Sequence, residues 1–393
     1  MKFRILSLDG GGTWALIQAR VLQDLYGTQA RGHAVLRNFD MVVANSGGSL
    51  VAAGLAENLA LDEILGMFLA AETRGRIFVP LPWHKKLNPL RLLGAPAPRF
   101  SAADKLEGLK KLLPAGSTTS LKDLHIQGYR GRDVQFAVTA YDYDRDRVKF
   151  FRSNTASLAG SVANPALSAP FAEAAHASSN APVSFFDEPA LAAGLRFWDG
   201  AVAGFNNPVL VGAIEALSNG IPASEIGMLS IGTGNTFLPR KSDDIPDYLA
   251  KPASEPSLGE DLKKLAGAVV AEPPDSHTFI AYLMLGQKLP GSAAQCPHPS
   301  PALVRMNPLI QPLRNAQGKW DLPAGLSRTD FEKLVELDLA VTEQADVDLI
   351  ARFCSLWLGD GIPNQAVRAN RNLDCEIGYS SYSAAKQAWS NCV

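Results

Sequence analysis

Apolar residues along this chain alternate between short unbroken runs and helical spacing. Phe3-Arg4-Ile5-Leu6-Ser7-Leu8 is dense in apolar residues and predicts a strand. After Asp9-Gly10-Gly11-Gly12-Thr13 the period changes. Ile17, Val21, Leu22 and Leu25 recur at helical spacing and predict a helix over Trp14 to Tyr26. The same move then repeats. Phe39 to Val43 predicts a buried strand, a cluster of small residues follows, and Leu50 to Leu59 predicts a helix. Short helices are expected at Leu61–Leu69 and Asp104–Leu113, and an Ala-rich one at Pro165–Ala177. Asp133–Tyr141 and Arg147–Arg152 read as two strands joined by the turn Asp142–Asp146. Leu195–Trp198 and Ile226–Ile231 read as strands, and Asn206-Asn207-Pro208 caps a helix over Val209–Leu217.

Beyond Lys241 the pattern is harder to read. Asp243–Pro256 has loop composition, and Leu262–Val270, His277–Leu289, Arg328–Ala340 and Val347–Leu358 have helical spacing. The polar tail Asn364–Val393 shows no element; a lid, a partner surface or edge structure would each fit. Phe78 to Phe100 carries Pro80, Pro82, Pro89, Pro96 and Pro98 with Trp83 and several basic residues. It reads as an irregular packed excursion.

Size and composition narrow the class. With 393 residues, 47% hydrophobic and 19% charged, the chain can bury a sizeable core as one large α/β domain, or as a core with an appended piece. A net charge of −2 gives no global basic signal, so no nucleic-acid polymer is expected as partner. Cys296, Cys354, Cys375 and Cys392 show neither zinc spacing nor a disulfide framework and read as free thiols of a reducing compartment. The first residues reach Asp9 and three glycines too early for a signal peptide, and no apolar run is long enough to span a bilayer. The expected location is cytoplasmic, with peripheral contact at membranes left open. Asp142, Asp144 and Asp146 lack the glycine and distal glutamate of a calcium loop and have arginines between them, so they read as a solvated turn.

Two stretches carry candidate chemistry. Ala44-Asn45-Ser46-Gly47-Gly48 puts a serine between a strand and a helix, the setting of a nucleophile elbow, usually written G-x-S-x-G. Ala44 and Gly48 occupy the places two before and two after the serine, where bulk would collide. The glycine run Gly10-Gly11-Gly12, between a strand and a helix, can turn backbone N–H groups toward a phosphate or toward an oxyanion. Asp9-Gly10-Gly11-Gly12-Thr13 and Ser230-Ile231-Gly232-Thr233-Gly234 also resemble the two phosphate loops of actin-fold sugar kinases. In that fold the first loop joins two strands, whereas the segment after Gly12 has helical periodicity.

Taken in order, the Asp9-Gly10-Gly11-Gly12 loop, the Ser46 elbow, Ala175-His176-Ala177-Ser178-Ser179-Asn180-Ala181-Pro182, Asp199-Gly200-Ala201 followed by Asn206-Asn207-Pro208, and Ser230–Gly234 resemble the patatin-like phospholipase family. The resemblance covers roughly the first 235 residues. It implies a three-layer α/β/α fold with a mostly parallel central sheet. It also implies lipid ester cleavage by a Ser–Asp dyad, with no metal and no cofactor. By motif position Ser46 is the nucleophile, Asp199 the general base, and Gly10, Gly11 and Gly12 the oxyanion loop.

The expected organisation is a catalytic domain over 1–240 and a helical or irregular extension over 241–393 packed on it. The substrate implied is a lipid or phospholipid. A regulatory ligand or protein partner is conceivable for the region after Lys241, with no residue to identify it. Two departures stand out. Trp14 and Ala15 occupy places where the family has a basic residue and a glycine, which removes a positive charge from beside the glycine loop. His176 stands where the family often has arginine and reads as a surface or capping histidine. Rival readings are a kinase built on the two glycine-threonine loops, an acyltransferase using the same dyad, and a Ser-His-Asp hydrolase drawing on His277 or His298.

Overall fold

The computed structural model describes residues 2–82, 97–153, 169–271, 273–288, 297–367 and 376–392. Its strands are β1 (Phe3–Leu8), β2 (Met41–Ala44), β3 (Gln135–Asp142), β4 (Arg147–Arg152), β5 (Ala190–Ala192), β6 (Leu195–Asp199), β7 (Ile226–Ile231), β8 (Asn235–Thr236) and β9 (Leu303–Met306), followed by three two-residue strands. The helices are α1 (Leu16–Tyr26), α2 (Gly32–Leu36), α3 (Ser46–Ala56), α4 (Leu61–Leu69), α5 (Ala71–Ile77), α6 (Ala102–Leu112), α7 (Phe171–Ser178), α8 (Val209–Ser218), α9 (Leu258–Ala271), α10 (Pro273–Met284), α11 (Arg328–Glu336), α12 (Gln344–Leu358) and α13 (Tyr382–Cys392).

The central sheet runs β5-β6-β3-β2-β1-β7-β9, with β4 also paired to β3. β3, β2, β1, β7 and β9 are parallel; β4, β5 and β6 enter antiparallel. β1 and β7 are buried along their whole length, which is why their sequences are unbroken apolar runs with only small or paired polar breaks. Successive side chains still alternate between two cores. Phe3 and Ile5 join Met41 and Val43 under α8 and α10, while Leu6 and Leu8 join Val42 and Ala44 under α1, α3 and α4. The result is the expected three-layer arrangement.

Register sets the site. Leu8 pairs with Ala44 on one side and Ile231 on the other, so β1, β2 and β7 end at one level. The glycine loop, the serine elbow and the Gly232-Thr233-Gly234 loop leave the carboxyl edge of the sheet side by side, where open α/β sheets bind ligands. β6 runs the other way and pairs Asp199 with Ala140, just beyond the level of Val138, itself paired with Ala44.

Some expectations change. The glycine loop leads into a short 3-10 turn and then α1, not a second strand, so the kinase alternative lacks its hairpin. The region after residue 241 is not wholly helical or irregular, because β9 is a strand of the central sheet. Its apolar run is broken by Arg305, which hides it from pattern reading. The tail contains α13, whose Tyr382, Ala385 and Trp389 are buried; Trp389 stacks on Phe39 at 5.8 Å. The proline-rich stretch 83–96, the start of the Ala-rich helix at Pro165, Cys296 and Cys375 lie outside the described residues. Among the described residues, no helix is long and apolar enough to cross a membrane.

Candidate active site

Asn45 is extended, and Ser46 turns to φ 48°. A non-glycine residue held there carries about 1–2 kcal/mol of backbone strain. That turn lifts the serine out of the sheet at the first residue of α3, whose positive end faces it. The surroundings over-determine the conformation. Ser46 N–H donates to Ser178 Oγ at 2.8 Å, and Ser49 Oγ donates to the Ser46 carbonyl at 2.5 Å.

The small residues after the serine have a backbone reason. A Cβ on Gly47 would meet the Gly12 carbonyl oxygen at 2.7 Å; one on Gly48 would meet the Leu8 and Asp9 carbonyl oxygens at 2.5 and 2.6 Å. Helix and glycine loop therefore touch main chain to main chain, and neither can give. Gly48→Ala is expected to cost about 3 kcal/mol by overpacking. Urea unfolding measures this, and an unchanged midpoint would contradict the packing described.

Asp199 reaches the serine from the far side of the sheet edge. Its carboxylate accepts Asn45 Nδ2 at 3.1 Å and the Ala201 N–H at 2.9 Å, both on Oδ1, and the Ser46 side chain lies beside it. Thr139 Oγ1 donates to Asn45 Oδ1 at 2.5 Å, which fixes the amide so that its nitrogen points at Asp199. Gly200 follows because a Cβ there would strike Asn45 Oδ1 at 2.4 Å and Thr139 Oγ1 at 2.5 Å. Burial pushes the Asp199 carboxyl above its ordinary value. The Ser46 hydroxyl, the Ala201 and Asn45 hydrogen bonds and the charge of Lys105 oppose that rise without cancelling it.

The glycine loop is committed at both ends. Gly10 N–H donates to the Asn206 carbonyl at 2.8 Å, and Thr13 N–H to the Leu339 carbonyl at 2.9 Å. Among the described residues the Gly11 and Gly12 amides have no hydrogen-bond partner. Thr233 Oγ1 donates to the Gly10 carbonyl at 2.6 Å, so the second glycine-threonine stretch buttresses the first. Arg305, from β9, forks onto Asp9 at 2.8 and 2.5 Å and onto Ser230 Oγ at 2.8 Å, with both members of the ion pair buried. This corrects the expectation that no positive charge stands beside the loop. One does, but Asp9 neutralises it.

Residues 337–342 form the remaining wall, which the sequence did not signal. Trp14 Nε1 donates to the Asp338 carbonyl at 3.0 Å, Thr13 Oγ1 to the Val341 carbonyl at 2.9 Å, and Arg99 pairs with the Asp338 carboxylate at 2.7 Å. Leu339 and Ala340 close an apolar pocket shared by Ser46, Leu50, Ile77, Phe78, Phe185 and Phe186, with about 20 Å³ of free space. A larger cavity of about 370 Å³ lies along the other side of the loop, between Gly10, Trp14, Asn206, Thr233, Arg305 and Leu337.

The described histidines stay apart from this group. Among the described residues none hydrogen-bonds Ser46 or Asp199. His277 faces the Asn207 carbonyl at 3.3 Å, and the backbone of His298 pairs with Glu376 and Gly378. His176 is buried in α7 rather than on the surface.

The chain is thus a three-layer α/β protein with a strained serine, a buried acid and free backbone amides at the carboxyl edge of its sheet. The model of the family "Patatin-like phospholipase" matches residues 6–212, more than half of the chain, and the protein belongs to that family. Members are serine lipid hydrolases, so the family implies lipid acyl hydrolase activity. Among solved structures the chain is similar to VipD from Legionella pneumophila, at 12% identity and a TM-score of 0.36, over 90% of this chain and 67% of that one. No curated protein matches.

Proposed function

We propose that this protein cleaves acyl esters of lipids through an acyl-enzyme on Ser46, with Asp199 as the base. The observation that carries the reading is a serine held on a strained elbow beside a buried carboxylate, which the neighbouring elbow residue Asn45 binds at 3.1 Å. A serine hydroxyl is a weak nucleophile until a positioned base takes its proton. As Oγ bonds to the ester carbonyl carbon, its proton passes to Asp199 and the carbonyl oxygen becomes an oxyanion. In this reading the free Gly11 and Gly12 amides receive that charge, at about 3 kcal/mol per donor. Gly10 shapes the loop rather than donating, because its amide is engaged by Asn206. Collapse expels the alcohol, which takes the proton from Asp199. Water then attacks the acyl-Ser46 carbonyl by the same route and releases the fatty acid. The part of the chain after residue 241 completes this machinery, since β9 supplies Arg305 and residues 337–342 close the pocket.

Phe78, Phe185, Phe186, Ile77 and Leu50 make the wall beside Ser46 apolar, which suits an acyl chain. The space present is smaller than a chain of several methylenes, so Leu339 and Ala340 must yield to admit one. The test is fatty-acid release from esters of graded acyl length, without added nucleotide. Wild type is expected to release acid, and Leu339→Ala to raise the ratio of long-chain to short-chain turnover several-fold. No release from any ester would defeat the reading. An unchanged ratio would place the acyl chain elsewhere.

A further inference from the structure

The dyad mechanism makes no use of Lys105, a fully buried residue of α6. Its Nζ contacts the His176 carbonyl at 3.1 Å, Asn180 Oδ1 at 3.1 Å and Ser179 Oγ at 3.3 Å, and lies 4.0 Å from the centre of the Phe186 ring. The orientation of these partners is fixed. Asn180 Nδ2 donates to the Glu188 carbonyl at 2.8 Å, so its oxygen faces the lysine. Ser179 spends its proton on the Ala175 carbonyl at 2.6 Å, so its oxygen accepts. Three acceptors converge on one nitrogen. A neutral amine has two N–H bonds and would point a lone pair at the third acceptor, whereas an ammonium satisfies all three. The Phe186 ring face also favours a cation. Burial works the other way and pushes the Lys105 pKa well down, with the charge of Asp199 opposing. The hydrogen-bond geometry decides for the ammonium.

The segment that Lys105 grips holds both dyad residues. Ser178 Oγ accepts the Ser46 N–H, and the Asn180 carbonyl accepts the Asp199 N–H at 3.0 Å. Among the described residues, the polar and charged groups near Asp199 are few. β3 presents Thr139, the elbow presents Asn45 and Ser46, and the turn after β6 presents the Ala201 N–H. From α7 comes His176, kept uncharged by burial and by Lys105 and Lys110, and Asp9 at the head of the glycine loop is matched by Arg305. Among the described residues Lys105 supplies the charge that acts on Asp199, the weakest of the four effects that hold its carboxyl down.

We infer that Lys105 is a positioning residue of the Ser46–Asp199 pair: its buried ammonium fixes residues 176–180, which anchor both members, and adds a positive charge that favours the basic form of Asp199. The inference rests on the proposed dyad. Its test reads the acid limb of the pH–rate profile, a signal that loop packing alone would not move.

Lys105→Met removes the charge. Asn180→Asp, close to isosteric, leaves an acceptor to Lys105 and cancels its charge, so it reports where Lys105→Met does not fold. Turnover of a soluble aryl ester is followed across the acid and neutral range for both. Each variant is expected to move the acid limb upward. A limb that stays in place while the rate falls would overturn the inference, as would loss of folded protein in both variants, since Lys105 would then serve packing alone. The control is fluorophosphonate capture at Ser46 in wild type and its strong slowing in Asp199→Asn. Failure of the control counts against the dyad; a passed control with an unmoved limb counts against Lys105 only.

Discussion

Replacing Ser46 by alanine should abolish ester turnover while leaving the fold intact. In the proposed mechanism the hydroxyl is the group that becomes acylated, so its loss removes the covalent route altogether. Removal of the nucleophile from a comparable serine hydrolase lowers kcat by about 10⁶-fold. The substitution should cost little stability. Ser46 is held by its backbone, through its N–H to Ser178 and its carbonyl to Ser49, and both contacts survive. Ester turnover and thermal unfolding are the two readouts. Activity retained above a thousandth of wild type would mean that another group carries the acyl transfer.

The second large effect is expected at Asp199. Asp199→Asn keeps the shape and an acceptor for the Ala201 N–H but cannot take a proton. A positioned general base is worth about 10²–10⁴-fold, and a loss of that size is expected in kcat/KM. The pH profile gives the same group a second signature. Burial holds Asp199 above the ordinary aspartate value, so wild-type activity should fall on acidification at a higher pH than an exposed carboxylate would give.

Stability should move in the opposite sense to activity. A carboxyl whose pKa is raised on folding binds its proton more tightly in the native state than in the unfolded one. Stability from this group is present below the unfolded pKa and is lost as pH rises through the folded pKa. At neutral pH the buried carboxylate is therefore a net cost, and Asp199→Asn should melt no lower than wild type. An inactive variant with a preserved melting temperature separates lost chemistry from lost structure, and a variant that unfolds would not support the role.

What the sequence made legible follows from where the physical signal is local. The β1–glycine loop–α1 unit, the Ser46 elbow, the Asp199-Gly200 turn and β7 each carry their instruction within a few residues, as apolar runs ended by small ones. The residues that remained hidden act at long range. Arg305 looks like an interruption in an apolar run until β9 is laid against β7 and the charge meets Asp9. Lys105 sits on an ordinary amphipathic helix, and only the packing of α6 on α7 shows that it points inward. Thr139 lies mid-strand, with nothing to mark it as the group that orients Asn45. Leu339 and Ala340 follow a short helix and reveal their place over Ser46 only through the Thr13 and Trp14 hydrogen bonds.

The glycines divide in the same way. Gly48 was readable as the small residue an elbow demands, although its reason lies in the Leu8 and Asp9 carbonyls of a different element. Gly10 was readable as part of an oxyanion loop. The engagement of its amide by Asn206, which leaves Gly11 and Gly12 as the proposed donors, was not.

The most direct measurement is intact mass with peptide mapping after a fluorophosphonate probe is added to wild type, Ser46→Ala and Asp199→Asn. One adduct on the peptide containing Ser46 is expected in wild type, none in Ser46→Ala, and strongly slowed capture in Asp199→Asn. Labelling that persists in Ser46→Ala, or proceeds at the wild-type rate without the Asp199 carboxylate, would contradict a serine activated directly by that acid.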